Sequence, residues 1–144
     1  MIFIGLNSNY TNLRRAIWRK RSKMPFLSEL VVKKIGDKRW ELKEELKYQP
    51  LQGHLITVPI GFRTNFASVP RIPIAFLLAG DTAQKSATVH DYLYSGIEHR
   101  FSRKRADEIL LQAMKEEGLW WWRRSLMWIG VRWFGGFFFE KPKK

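Results

Sequence analysis

Cysteine is absent from all 144 residues, so the chain forms no disulfide, offers no thiol nucleophile and builds no cysteine-ligated zinc site. Histidine occurs three times. His54 falls on a strand and His99 near a turn, both ordinary places, so a three-histidine metal site is not expected. Long apolar runs are also missing. The most apolar stretch, 120–139, is interrupted by Arg123, Arg124 and Arg132, and a charge near a bilayer midplane costs about 2.5–3.5 kcal/mol. That argues against a spanning helix and leaves room for one lying on a surface. The opening MIFIGL is too short for a secretory signal core and runs straight into polar NSNYTN, so export by a signal peptide is not expected.

Acids are scarce as well: 13 stand against 26 lysines and arginines, giving a net charge of +13. Such a balance draws a protein to polyanions, whether nucleic acid, anionic lipid or an acidic protein face. Its distribution is uneven. Residues 1–23 hold Arg14, Arg15, Arg19, Lys20, Arg21 and Lys23 and no acid, which marks them as a basic extension with a weak helical stripe at Leu13, Ile17 and Trp18. Met24 is an alternative start, which would make that leader dispensable. Residues 24–144 then form one domain. The sequence is 45% hydrophobic and 15% aromatic, enough material for a core that buries roughly two-thirds of the unfolded surface at this size.

Alternation with period two points to strands at 29–35, 39–43 and 54–58, with Gly36-Asp37 as a turn and Pro59 as a terminator. Helix competes with strand over 44–47. The segment 61–71 reads as a loop stiffened by its prolines, and a short apolar helix is expected at 74–78. Three helices finish the chain. Thr82 caps the first, which ends before Gly96. Ser102 caps the second, whose apolar face holds Ala106, Ile109, Leu110, Ala113 and Met114, with Gly118 just beyond its end. The third runs from about Trp120 to Phe134 and stops at Gly135-Gly136. A small N-terminal antiparallel sheet of about three strands packed with three C-terminal helices is an α+β fold.

Chemistry-bearing residues gather in three segments: TNFASVPR, HDYLY and RKRAD. His90 and Asp91 are neighbours, so on a helix they point about 100° apart and cannot share one role in one small site. His90 is expected to face a partner helix and Asp91 the loop, with Tyr94 one turn on from His90. Asp107 lies on the following, antiparallel helix and can meet His90. An imidazole oriented by a carboxylate is what a general base requires. The same residues also suit a helix–loop clamp without turnover, in which Asp91 takes Arg71 or loop N–H groups and Asp107 takes Arg103 or His90. Thr64, Asn65, Ser68 and Arg71 are the loop residues facing that place.

The series Met24-Pro25-Phe26-Leu27, Val58-Pro59-Ile60-Gly61-Phe62, Thr64 to Pro70, His90-Asp91-Tyr92-Leu93-Tyr94, Arg103 to Asp107 and Val131 to Gly136 resembles an uncharacterised family of tailed phages and prophages. That family is known as a domain of unknown function, and the resemblance covers about 24–136. Its usual motif has Asp where this chain has Asn65, which removes a charge from any acid or cation-ligand role there. The His-Asp-x-Leu-Tyr spacing is similar to the His-Asp-x-Cys-Tyr helix of secreted phospholipases A2. That likeness implies His90 as base, Asp91 as ligand of a calcium-like divalent cation and Asp107 as support, although the glycine-rich calcium loop and the cysteines of that family are absent.

On the last helix, Leu119, Trp122, Leu126, Ile129 and Trp133 recur at helical spacing and read as core. Trp121, Arg124, Trp128 and Arg132 then fall outside it, a mixture suited to a lipid headgroup zone, a protein interface or stacked nucleic acid. Three functions follow as expectations. The first is a non-enzymatic virion, assembly or late-gene component of a phage, docking on phage structural proteins or a host envelope component. The second is a small hydrolase with His90 as base, and the third a module binding nucleic acid or anionic lipid. The place of action is the bacterial host cytoplasm during infection, the virion, or the periphery of a membrane.

Overall fold

Gly36 and Asp37 turn the chain between Val32–Gly36 (β1) and Arg39–Leu42 (β2), which pair antiparallel with Val32 opposite Leu42 and Lys34 opposite Trp40. This computed structural model describes residues 25–37, 39–66, 83–98, 100–137 and 139. The leader, Ser68, Arg71, the short helix at 74–78 and the Thr82 cap lie outside the described residues. Leu46–Tyr48 (β3) and Ile56–Val58 (β4) form a second, two-stranded antiparallel sheet, with Leu46 opposite Val58 and Tyr48 opposite Ile56. All four of those side chains are buried while Lys47 and Thr57 between them are half-buried, the alternation a pleated ribbon imposes. Strand therefore wins over helix at 46–47, with 44–45 outside any element, because Leu46 and Tyr48 reach the core only with period two.

Arg63–Thr64 (β5) adds to the free side of β2, giving the order β1-β2-β5. The segment read as loop thus begins with a strand. Gly61, at φ +81°, turns the chain, and the backbone bonds Leu42 N to Phe62 O and Gly61 N to Leu42 O, both 2.9 Å, bring it back alongside β2. A side chain at that φ would be strained, which is why glycine stands there.

Three helices follow: Gln84–Tyr94 (α1), Arg103–Glu116 (α2) and Trp121–Phe134 (α3), the last ending in a 3-10 turn, Gly135–Phe137. They stack in series. α1 packs against β3, β4 and β5 on one side and α2 on the other, and α2 in turn packs against α3. Every residue of α1 from Ser86 to Tyr94 is consequently buried. Ser102 accepts from Arg105 N at 3.3 Å and caps α2. The other end closes as a Schellman motif, with Leu119 N on Met114 O at 3.0 Å, Gly118 N on Lys115 O at 3.1 Å and Gly118 at φ +84°. The core runs from Leu42, Tyr48 and Ile56 through Val89 and Leu93 to Ile109 and Met114.

α3 departs from its sequence pattern. Leu119 is buried, but Leu126, Ile129 and Trp133 are 45%, 44% and 76% exposed, and Trp122 is only half-buried. The helix buries Met127, Gly130 and Val131 instead. Two arginines hold this rotation: Arg103 Nη2 bonds the carbonyls of Val131 and Arg132 near the helix end, and Arg132 pairs with Asp107 on α2. Gly135 lies where an added Cβ would come 2.7 Å from Tyr94 Oη, so the end of α3 approaches α1 closely. No helix among the described residues is long and apolar enough to cross a membrane.

Candidate functional site

α1 carries four buried polar side chains, and each finds a partner, as buried polar groups must. Ser86 Oγ donates to Glu117, and Thr88 Oγ1 donates to Gln84 O at 2.8 Å. His90 turns toward α2, where its Nε2 lies 3.2 Å from Asp107 Oδ1. Asp91, about 100° round the helix, turns toward β5, where Thr64 Oγ1 donates to its Oδ2 at 2.5 Å. The two neighbours therefore serve different contacts.

Around Asp107 the structure brings together His90, Tyr94 and Arg132. Tyr94 Oη donates to Oδ1, Arg132 Nη1 donates to Oδ2 at 3.0 Å, and Arg103 Nε stands 4.0 Å from Oδ2. The rings of His90 and Tyr94 are stacked at a tilt, 4.0 Å between centroids. The exposures decide what this cluster can do: 1% for His90, 2% for Tyr94 and 0% for Asp107. Burial by itself would raise the Asp107 carboxyl, but hydrogen bonds from His90, Tyr94 and Arg132 outweigh it and hold the group below its usual range. Burial lowers His90, with Asp107 opposing only in part. A neutral imidazole against a charged carboxylate results, with the ring proton on Nε2 because Asp107 can only accept. Burial and the Asp107 contact push Tyr94 upward, so it stays a phenol and a donor.

Asp91 and Thr64 form a separate tie. Thr64, 3% exposed, donates to Asp91 and accepts from Phe66 N at 3.1 Å, holding Phe66 at φ +52°. A left-handed conformation costs a non-glycine residue roughly 1–2 kcal/mol, so the chain leaving β5 is bent against its own preference. Asn65 is exposed. Among the described residues no three His, Asp or Glu side chains gather as ligands for a metal ion.

Sequence reasoning missed Glu117. Its carboxylate reaches across from the end of α2 and accepts from Lys85 N at 3.2 Å, Ser86 N at 3.0 Å and the Ser86 hydroxyl. It thereby caps α1, which has no side-chain cap of its own at Ala83. No local spacing announces a cap supplied 31 residues away. Of the four residues grouped as an outer face, Trp121 is 66% exposed. Arg124 is half-buried and donates to Leu119 O at 3.3 Å, and Trp128 is half-buried with its Nε1 shielded from solvent. Arg132 is spent on Asp107.

Fold and site together define a basic α+β domain in which a buried His–Asp–Tyr–Arg cluster locks three helices while the outer face of the last stays open. A family model described as "Protein of unknown function (DUF1353)" matches residues 40–131, and the chain belongs to that family. The matched span runs from β2 into the last turn of α3, enclosing the Asp91–Thr64 tie and the His90, Tyr94 and Asp107 members of the cluster, and ends one residue before Arg132. No curated protein and no solved structure matches the chain.

Proposed function

We propose that this protein is a non-enzymatic docking component of a tailed phage or prophage, a virion, assembly or late-gene part that attaches through α3. The observation that carries this reading is the row Leu126, Ile129 and Trp133, apolar and exposed on a helix otherwise firmly anchored. Leaving such a row in water has no role in folding, whereas a contiguous apolar patch is what a binding surface presents. The phage association rests on the motif series from VPIGF and TNFASVPR to HDYLY and VRWFGG. Its partners would be phage structural proteins or a host envelope component, with the site of action in the infected cell, the virion or the membrane periphery. Sedimenting particles from a lysate that contains the tagged chain tests it. The wild type should travel with particles or envelope and a Leu126→Gln/Ile129→Gln chain should be released; wild type recovered only as a free monomer overturns it.

The hydrolase reading has one observation in its favour, the His90–Asp107 contact of a general base. Against it stands the 1% exposure of His90, which keeps water and substrate from the ring, and the use of Asp107 as a three-way tie. A His90→Gln chain that folds and keeps its biological activity removes it.

A further inference from the structure

Resting on the docking reading, we infer that the partner of α3 is an anionic lipid surface, with the helix lying in the plane of the headgroups. At about 100° per residue, Trp122, Leu126, Ile129 and Trp133 fall within roughly 60° of one another along a helix of about 21 Å. Arg123 and Arg132 lie about 90° to either side, both half-buried, Arg132 with its Nη1 on Asp107 and Arg123 with its Nε shielded from solvent. An apolar row with tryptophan at both ends, in a segment whose charge is almost wholly basic, is the pattern of a helix seated at a membrane interface. There aliphatic side chains enter the acyl boundary, indole rings sit at headgroup level, and guanidinium groups meet phosphate.

Charge selects this occupant over the others. From Leu119 to the last residue the sequence holds Arg123, Arg124, Arg132, Lys141, Lys143 and Lys144 against one acid, Glu140. A second copy docking face to face would set one basic segment against another, with Glu140 the one acid in each. The leader is excluded likewise, since residues 1–23 carry six basic side chains and no acid. Single-stranded nucleic acid would satisfy the arginines, but stacking needs flat rings, and the middle of the row is Leu126 and Ile129. An anionic bilayer meets both properties of the segment: phosphate for its basic side chains and hydrocarbon for the exposed apolar row.

The full chain is sedimented with vesicles of phosphatidylcholine mixed with phosphatidylglycerol, and with phosphatidylcholine alone. Binding to the anionic vesicles should exceed binding to the neutral ones by about tenfold or more and weaken as salt is raised. Leu126→Gln/Ile129→Gln should lose about tenfold in partitioning with an unchanged unfolding midpoint. If that chain folds poorly, Trp133→Gln, at the most exposed of these positions, takes its place. Equal binding to both vesicles, or a folded variant that binds like wild type, overturns the inference, as does a dimer that the same substitutions dissolve. Wild type that stays with phage particles yet ignores vesicles removes the lipid and leaves the docking reading standing; absence from both removes both.

Discussion

Between α1 and α2, a histidine, a tyrosine and an aspartate are shut away from water; on α3, a leucine, an isoleucine and a tryptophan face it. The two regions invert the usual sorting of side chains, and they are linked. Arg132 extends from α3 to Asp107 at 3.0 Å, and Arg103 holds the α3 carbonyls from α2. Those ties choose which side of α3 faces the core. Met127, Gly130 and Val131 then form the buried seam. Polar contacts with fixed geometry set the rotation, and hydrophobic burial, which has no direction of its own, follows.

Breaking the polar junction should have the largest effect. Asp107→Ala strands Arg132, His90 and Tyr94 together, and removing one partner of a buried charged cluster costs about 3–5 kcal/mol. Denaturant unfolding would show it, and a loss below about 1 kcal/mol would mean the cluster is not the lock described. Next comes a pair of neighbours on α3. Met127→Ala should cost about 2 kcal/mol or more, while Leu126→Ala, one residue earlier, should stay within about 0.5 kcal/mol. Equal costs would show that the helix is rotated as its sequence pattern suggests.

Gly135→Ala tests the close approach of α3 to α1. Its new Cβ would stand 2.7 Å from Tyr94 Oη, and Tyr94 is held by Asp107, so a loss of roughly 1–3 kcal/mol is expected in the unfolding midpoint. The smallest effect is on pH. His90 is lowered in the folded protein, so the unfolded chain binds its proton first. That stability is present above the ordinary histidine range and is lost as pH falls below about 6.5, by no more than about 1.4 kcal/mol per pH unit. His90→Gln should flatten this part of the profile. Asp107, also lowered, adds a second loss only below the ordinary aspartate range, and the two limbs separate in a pH titration of the midpoint.

The strands at 39–42 and 56–58 were legible from residues that alternate along the chain, α2 from its regular apolar face, and α1 and α3 from the glycines that end them. The ends of α2 were legible for another reason: Ser102 and Gly118 act on backbone groups within their own turn. The split between His90 and Asp91 follows from adjacency on a helix and needs no tertiary information. What the pattern concealed shares one cause. Strand β3 against a helix at 44–47, strand β5 inside an expected loop, and the Glu117 cap on α1 all depend on partners distant in the chain.

Composition and periodicity by themselves determined an α+β chain without thiol chemistry, strongly basic, with a histidine and an aspartate sent to opposite sides of one helix. Those properties belong to residue types and to spacing within single elements. Only the tertiary structure decided that the histidine is sealed and that α3 turns its most regular apolar row outward. A helix's sequence gives two candidate faces but no neighbour. The choice between them was made by guanidinium and carboxylate groups that meet only once α1, α2 and α3 are stacked.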